Sequence, residues 1–172
     1  MTVSIYLAIS VDGLIATSNR ITDEESEWPD SAWENWCGYC TSANNVIVGR
    51  KTYSELVEDD VSDILYPEHK AVISSQALDL AEKWNQFSSP KLAVDYLTSC
   101  NVENIIVGGG RQIALAFVKE GLVDEITLDV QPLLFGNGTS LLGELDSCIQ
   151  LELISIEPFE NGATKVRYRL IK

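Results

Sequence analysis

The order of elements along the chain predicts an α/β fold. It comprises a mixed, mostly parallel central sheet with helices on both faces and a C-terminal antiparallel hairpin. Three observations carry that prediction. Short apolar runs at 3–9, 46–48, 71–73 and 104–107 are too brief for helices and read as buried strands. Segments of helical spacing alternate with them, which favours parallel pairing under covering helices. Finally, residues 151–157 and 165–170 flank Asn161-Gly162, a strong hairpin signal.

In order, Val3–Ile9 is the first strand, and Ser10-Val11-Asp12-Gly13 is a turn. Residues 16–30 are polar and read as a loop. From Ser31 to about Asn44 the aromatic positions Trp33, Trp36 and Tyr39 recur at helical spacing, with Asp30 or Ser31 as N-cap. Val46–Val48 is a short strand, and a helix starts around Thr52-Tyr53. Ala71–Ile73 is another strand, Lys91–Ser99 a helix, and 104–107 a strand. A helix then runs from 111 to 120 and is capped by Gly121, before a strand at 123–130. No repeat, low-complexity tract or linker divides the chain, so residues 1–172 read as a single domain.

Composition narrows the function classes. With 172 residues and 45% hydrophobic content the chain can bury one proper core. A formal net charge of −14 repels nucleic acid and anionic membranes alike, so neither is expected as a partner. No stretch approaches the roughly 20 apolar residues of a membrane helix. The N-terminal Met1–Tyr6 has no basic leader, so a cytoplasmic location is the expectation. Cys37, Cys40, Cys100 and Cys148 lack the dense spacing of a disulfide scaffold and read as free thiols. His69 stands alone, and no metal site is expected.

Three strand-end turns carry the chemistry. After the strand at 104–107, Gly108-Gly109-Gly110-Arg111-Gln112 opens a helix with Ile113 in its first turn. Consecutive glycines there let backbone N–H groups approach an anion, and the helix dipole favours negative charge. A plain tight connection is the alternative, since the third glycine of the dinucleotide fingerprint is missing. Gly49-Arg50-Lys51-Thr52 repeats the pattern, with cations and a hydroxyl at a helix start. Ser74-Ser75-Gln76 offers hydroxyls and an amide that suit an adenosine phosphate, or else an ordinary capped turn. Ligands bind beyond the carboxyl ends of parallel strands, so these turns are expected to converge on one crevice.

The runs Ala8–Ala16, Val48–Tyr53, Ile73–Gln76 and Val107–Arg111 resemble, in order and spacing, the dihydrofolate reductase superfamily. Gly121–Glu125 and Pro132–Thr139 are more similar to the reductase domain of the bifunctional riboflavin-biosynthesis deaminase-reductase. The resemblance implies a three-layer dihydrofolate reductase-like fold and a homodimer. It further implies an NADPH-dependent reductase acting on a CH–NH or CH–OH group of a pyrimidine- or pterin-like substrate. That would be a 5-amino-6-(5-phosphoribosylamino)uracil reductase of riboflavin biosynthesis or, alternatively, a dihydrofolate reductase of folate metabolism. By the same resemblance Gly49, Arg50, Lys51, Thr52, Ser74 and Ser75 would hold the 2′-phosphate and pyrophosphate. Gly108 to Ile113 would hold the remaining diphosphate, with a non-proline cis peptide near Gly109, and Ala8 and Ile15 would border the nicotinamide.

Folate reductases hold the pterin through one carboxylate on the first helix, for which Asp30 and Glu34 are the candidates. Counting back from Gly49, however, Trp33 occupies that position. A helix cap for Asp30 and a solvated position for Glu34 are the competing readings. Ser10, Asp12 and Thr139 could serve the ribose hydroxyls or a phosphate of a riboflavin-type substrate, with Trp33 against its ring; core and turn roles remain open for each. Two readings from other classes are a nucleotide-binding protein without catalysis and a thiol oxidoreductase using Cys37-Gly38-Tyr39-Cys40. The latter motif needs a helix starting at its first cysteine.

Overall fold

The computed structural model describes residues 1–17, 28–58 and 67–171. Ten strands and four helices are defined among them. An eight-stranded sheet is built from β1 (Thr2–Ser10), β3 (Asn45–Gly49), β4 (His69–Ile73), β5 (Trp84–Phe87), β6 (Asn104–Gly109), β7 (Glu125–Gln131), β9 (Leu151–Pro158) and β10 (Thr164–Leu170). Its order is β5-β4-β3-β6-β1-β7-β10-β9, parallel from β5 to β7, with β10 antiparallel to both of its neighbours. A small second sheet pairs β2 (Leu14–Thr17) with β8 (Gly138–Ser140).

Helices α1 (Asp30–Ala43), α2 (Arg50–Glu58), α3 (Pro90–Ser99) and α4 (Arg111–Lys119) cover both faces. Because strand side chains alternate, β1 sends Ile5 and Leu7 to one core and Tyr6 to the other. The first core adds Ile47, Ile105 and Val107 to Leu97 of α3 and Phe117 of α4. The second gathers Val46, Val48 and Ile106 beneath Trp36 and Cys40 of α1 and Tyr53 and Leu56 of α2. Every residue of β3 is buried, as a central parallel strand with both faces covered requires. The fold class expected from the sequence is therefore the observed one.

Several boundaries differ from the sequence reading. Residues 16–17 of the expected 16–30 loop belong to β2, 18–27 lie outside the described residues, and Asp30 already belongs to α1. Helix α1 begins at Asp30 behind Pro29, whose extended backbone starts it without a side-chain cap, so neither Asp30 nor Ser31 is the N-cap. Helix α2 starts directly after β3, at Arg50, and β7 starts at Glu125 because 123–124 lie outside the sheet. β6 runs on through Gly108 and Gly109, which the reading had placed in the turn. The short strands β5 and β8 were not expected. β5 is an edge strand whose Asn85 and Gln86 bond Tyr96, Ser74 and Gln76, so it shows no apolar alternation. Gly121 does end α4: it adopts φ +66°, with its N–H donating to Val118 and that of Leu122 to Phe117.

Candidate functional site

The turns after β3 and β6 meet. Val48 pairs with Gly109, and a Cβ on Gly49 would lie 2.6 Å from Ile113 Cγ1 in the first turn of α4. A Cβ on Gly110 would lie 3.3 Å from Thr52 Oγ1 in the first turn of α2. Two helix N-termini thus stand side by side, and neither carries an acidic residue in its first turn. Arg50, Lys51, Arg111 and Gln112 are exposed around them. Lys51 reaches Glu55 at 3.8 Å, an exposed pair of little energetic weight. Arg50 makes no ion pair among the described residues. Orphan N–H groups, aligned dipoles and exposed cations suit a phosphorylated ligand.

The three glycines of the β6 turn do different jobs. Gly108 is tightly packed, because a Cβ there would sit 2.7 Å from Trp36 Cζ2 and 2.8 Å from Val46 Cγ2. Trp36 Nε1 also donates to the Gly108 carbonyl at 3.1 Å. Gly109 has φ +118°, with Leu7 Cδ2 2.8 Å from a would-be Cβ. The Gly109–Gly110 peptide is cis, as the resemblance implied. Gly110 is the N-cap of α4 and lies on the surface shared with Thr52.

β4 lies beside β3, with Ile73 opposite Gly49, so Ser74 follows at the same sheet edge as Arg50. Its buried hydroxyl donates to the Gln76 carbonyl at 2.8 Å and accepts from the Gln76 N–H at 3.0 Å, which makes a closed local turn. Ser75 is exposed beside it. Ala8 and Ile15 are half-buried on β1 and β2.

The residues expected to hold substrate have architectural partners. Ser10, fully buried, accepts from the Leu14 N–H at 3.0 Å and donates to its carbonyl at 3.3 Å, closing the turn between β1 and β2. Asp12 accepts the Phe135 and Gly136 N–H groups at 3.1 and 2.7 Å and so ties that turn to the loop after β7. The Ser10 hydroxyl and these two backbone donors hold its carboxyl down at about 2. Thr139 lies half-buried in β8, opposite Ala16.

Neither first-helix carboxylate enters a buried site: Asp30 and Glu34 are exposed. Trp33, which stands where the carboxylate was expected, stacks on Trp36 with ring centroids 5.1 Å apart. The buried carboxylate facing α1 is instead Asp129 of β7, which sequence reasoning missed. It is fully buried, accepting from Asn35 Nδ2 at 3.1 Å and Gln131 Nε2 at 2.8 Å. Burial raises its pKa, opposed by the bonds from Asn35 and Gln131, the charge of Lys165 and the bond from Tyr6. Tyr6 is pushed far above the ordinary phenol range, chiefly by burial and secondarily by the Asp129 charge. The signal lay in Glu125-Ile-Thr-Leu-Asp-Val-Gln131, where strict alternation puts a polar row on the α1 side of a covered strand.

The thiol reading fails on geometry. Cys37 and Cys40 lie inside α1 rather than at its start, are buried, and have pKa values raised by burial, the reverse of a reactive thiolate. All four cysteines are free. No cluster of metal-ligating side chains occurs among the described residues. No helix among them is long and apolar enough to cross a membrane.

Sheet order, helices on both faces and the joined glycine turns define a dihydrofolate reductase-like fold. The chain belongs to the RibD C-terminal domain family, whose model matches residues 1–165, a family of reductase-like domains. A candidate riboflavin biosynthesis protein from Shewanella sp. PV-4 superposes with a TM-score of 0.79 at 21% identity, covering 100% of both chains. RibD of Acinetobacter baumannii superposes with a TM-score of 0.74 at 16% identity over 99% of this chain and 58% of that one. The YwjB protein of Bacillus subtilis is 24% identical over 170 residues, 90% of each chain.

Proposed function

We propose that this protein is an NADPH-dependent reductase that delivers hydride to a pyrimidine-like ring system, of the riboflavin-biosynthesis reductase type. The observation that carries this reading is the junction of the α2 and α4 N-termini. In a chain of net charge −14, Arg50, Lys51 and Arg111 gather there with no acid in either first turn. A 2′-phosphate needs cations, whereas a bare ribose hydroxyl favours an acidic partner. Arg50, Lys51 and Thr52 would hold the phosphates nearest α2, and Gly110 to Ile113 those nearest α4. Ala8 and Ile15 would flank the nicotinamide, which supplies the hydride when bound; the protein's part is orientation and electrostatics.

Dihydrofolate reduction is the weaker alternative, because Trp33 replaces the first-helix carboxylate and both Asp30 and Glu34 face solvent. A nucleotide-binding protein without turnover is the alternative from another class, and NADPH oxidation with a pyrimidine substrate separates the two. We place the protein in the cytoplasm, where free thiols persist.

Arg50→Ala tests the cofactor reading. Loss of a charge-assisted contact of about 1.5–3 kcal/mol weakens NADPH binding roughly 10- to 100-fold and leaves NADH binding unchanged. Equal binding of the two coenzymes by the parent protein, or an unchanged NADPH affinity in the variant, refutes it.

The homodimer belongs to the same proposal. Leu151, Leu153 and Ile156 of the edge strand β9 are 43%, 51% and 57% exposed on one sheet face, which favours self-association there. Ile156→Lys is expected to shift sedimentation from dimer to monomer; a parent protein that sediments as a monomer removes this part.

A further inference from the structure

Beyond the end of β7 lies a cavity of about 360 Å³, walled by Gln131, Pro132 and Leu133 and by Trp28 and Ser31 at the start of α1. Small-molecule sites occupy roughly 300–1,000 Å³. None of the residues expected from sequence to bind substrate belongs to this wall. Its polar member of interest is Gln131, fully buried as the last residue of β7, opposite Ser10 at the end of β1.

The orientation of the Gln131 amide is fixed from below. Gln131 and Asp129 stand two residues apart on one face of β7, and Gln131 Nε2 donates to Asp129 Oδ1 at 2.8 Å. The other carboxylate oxygen is held by Asn35 Nδ2 at 3.1 Å. A carboxylate only accepts, so it holds the NH₂ end of the amide and turns the carbonyl end away. That carbonyl, Oε1, is buried and has no hydrogen-bond partner among the described residues. A buried acceptor without a donor is costly, and native proteins rarely keep one without use.

We infer that Gln131 Oε1 is the recognition acceptor for a ring N–H of the substrate, and that Asp129 is the positioning residue that presents it. The ligand is a planar heterocycle carrying an amide-type N–H, the uracil edge being the simplest case. Trp28, which packs on Phe135 with centroids 5.1 Å apart, gives the same cavity an aromatic wall suited to such a ring. The parallel register places Asp129 beside Ala8, so this acceptor lies one strand away from the expected nicotinamide flank. The inference rests on the reductase reading for the kind of ring, but its binding test does not need the coenzyme.

Uracil and 1,3-dimethyluracil serve as paired probes, one with ring N–H donors and one without. Saturation-transfer NMR on the full chain is expected to show uracil binding at least about tenfold tighter, the ratio for one good hydrogen bond. Gln131→Leu, similar in size but without the acceptor, removes that preference while a thermal melt confirms folding. Asp129→Ala lowers the preference, and Asp129→Asn, which keeps a carbonyl for Gln131 Nε2, restores it. Equal binding of the two probes by the parent protein overturns the proposal, as does no uracil binding or a preference that survives in Gln131→Leu. NADPH titrated separately keeps the readings apart. Failure of NADPH to bind alongside an intact uracil preference sinks the reductase reading alone, and the converse sinks this one alone.

Discussion

The turns closing β3 and β6 and the end of β7 share one edge of one sheet, but they are constructed on different principles. The first two use backbone: glycines, helix N-termini and exposed cations. The end of β7 uses side chains, in a buried chain of contacts from Asn35 to Asp129 to Gln131. A backbone site needs particular residue types at particular spacings and leaves a mark on the sequence. A side-chain network needs only that distant positions meet, and Asn35 and Asp129 are 94 residues apart.

The largest expected effect comes from treating the glycine turn as packing. Gly108→Ala drives a methyl against Trp36 and Val46, both buried, and overpacking of this kind costs about 1–3 kcal/mol. Chemical denaturation should register that loss. An unchanged stability with weakened NADPH binding would return Gly108 to the backbone site.

A smaller effect is expected from the buried network. Because burial raises the folded pKa of Asp129, the folded protein holds that proton more tightly than the unfolded chain. Its contribution is therefore fully present below an unfolded value of about 3.9 and is lost as pH rises through the folded value. Asp129→Asn should flatten this segment of a stability–pH curve measured from acid to neutral pH. An identical slope in the variant would show that the carboxylate is already relaxed in place.

The smallest effect belongs to Asp12, which is exposed and shifted the other way. Its stabilisation is present above about 3.9 and disappears as pH falls towards its folded value of about 2. Asp12→Asn should lose the acid limb of stability between those limits. If both proteins show the same acid limb, the bonds to Phe135 and Gly136 carry no weight in solution.

What was legible in the sequence follows the same division. Period and turn chemistry identified the core strands, the terminal hairpin and the glycine turns, because each is a local property. The edge strand Trp84–Phe87 was not legible, since its two apolar residues stand at its ends with Asn85 and Gln86 between them and it is held by its neighbour's register. Ser10 and Asp12 were named as substrate-binding candidates with core and turn roles left open, and their partners, Leu14 and the Phe135–Gly136 backbone, give them a structural role no spacing could reveal. Asp30 and Glu34 drew notice through position on a helix, yet α1 turns both to solvent. Asp129 looked like one more strand residue until α1 was laid across it.

Asp12 fastens the corner after the first strand to a segment 124 positions further along the chain. The corner leads into β2 and Ile15, and the distant segment continues from Pro132 and Leu133. Fastened in this way, the two cannot shift independently: a molecule that displaces one drags its counterpart along. Substitution at Asp12 is therefore expected to loosen two stretches of the chain at once, the turn leading into β2 and the loop after β7.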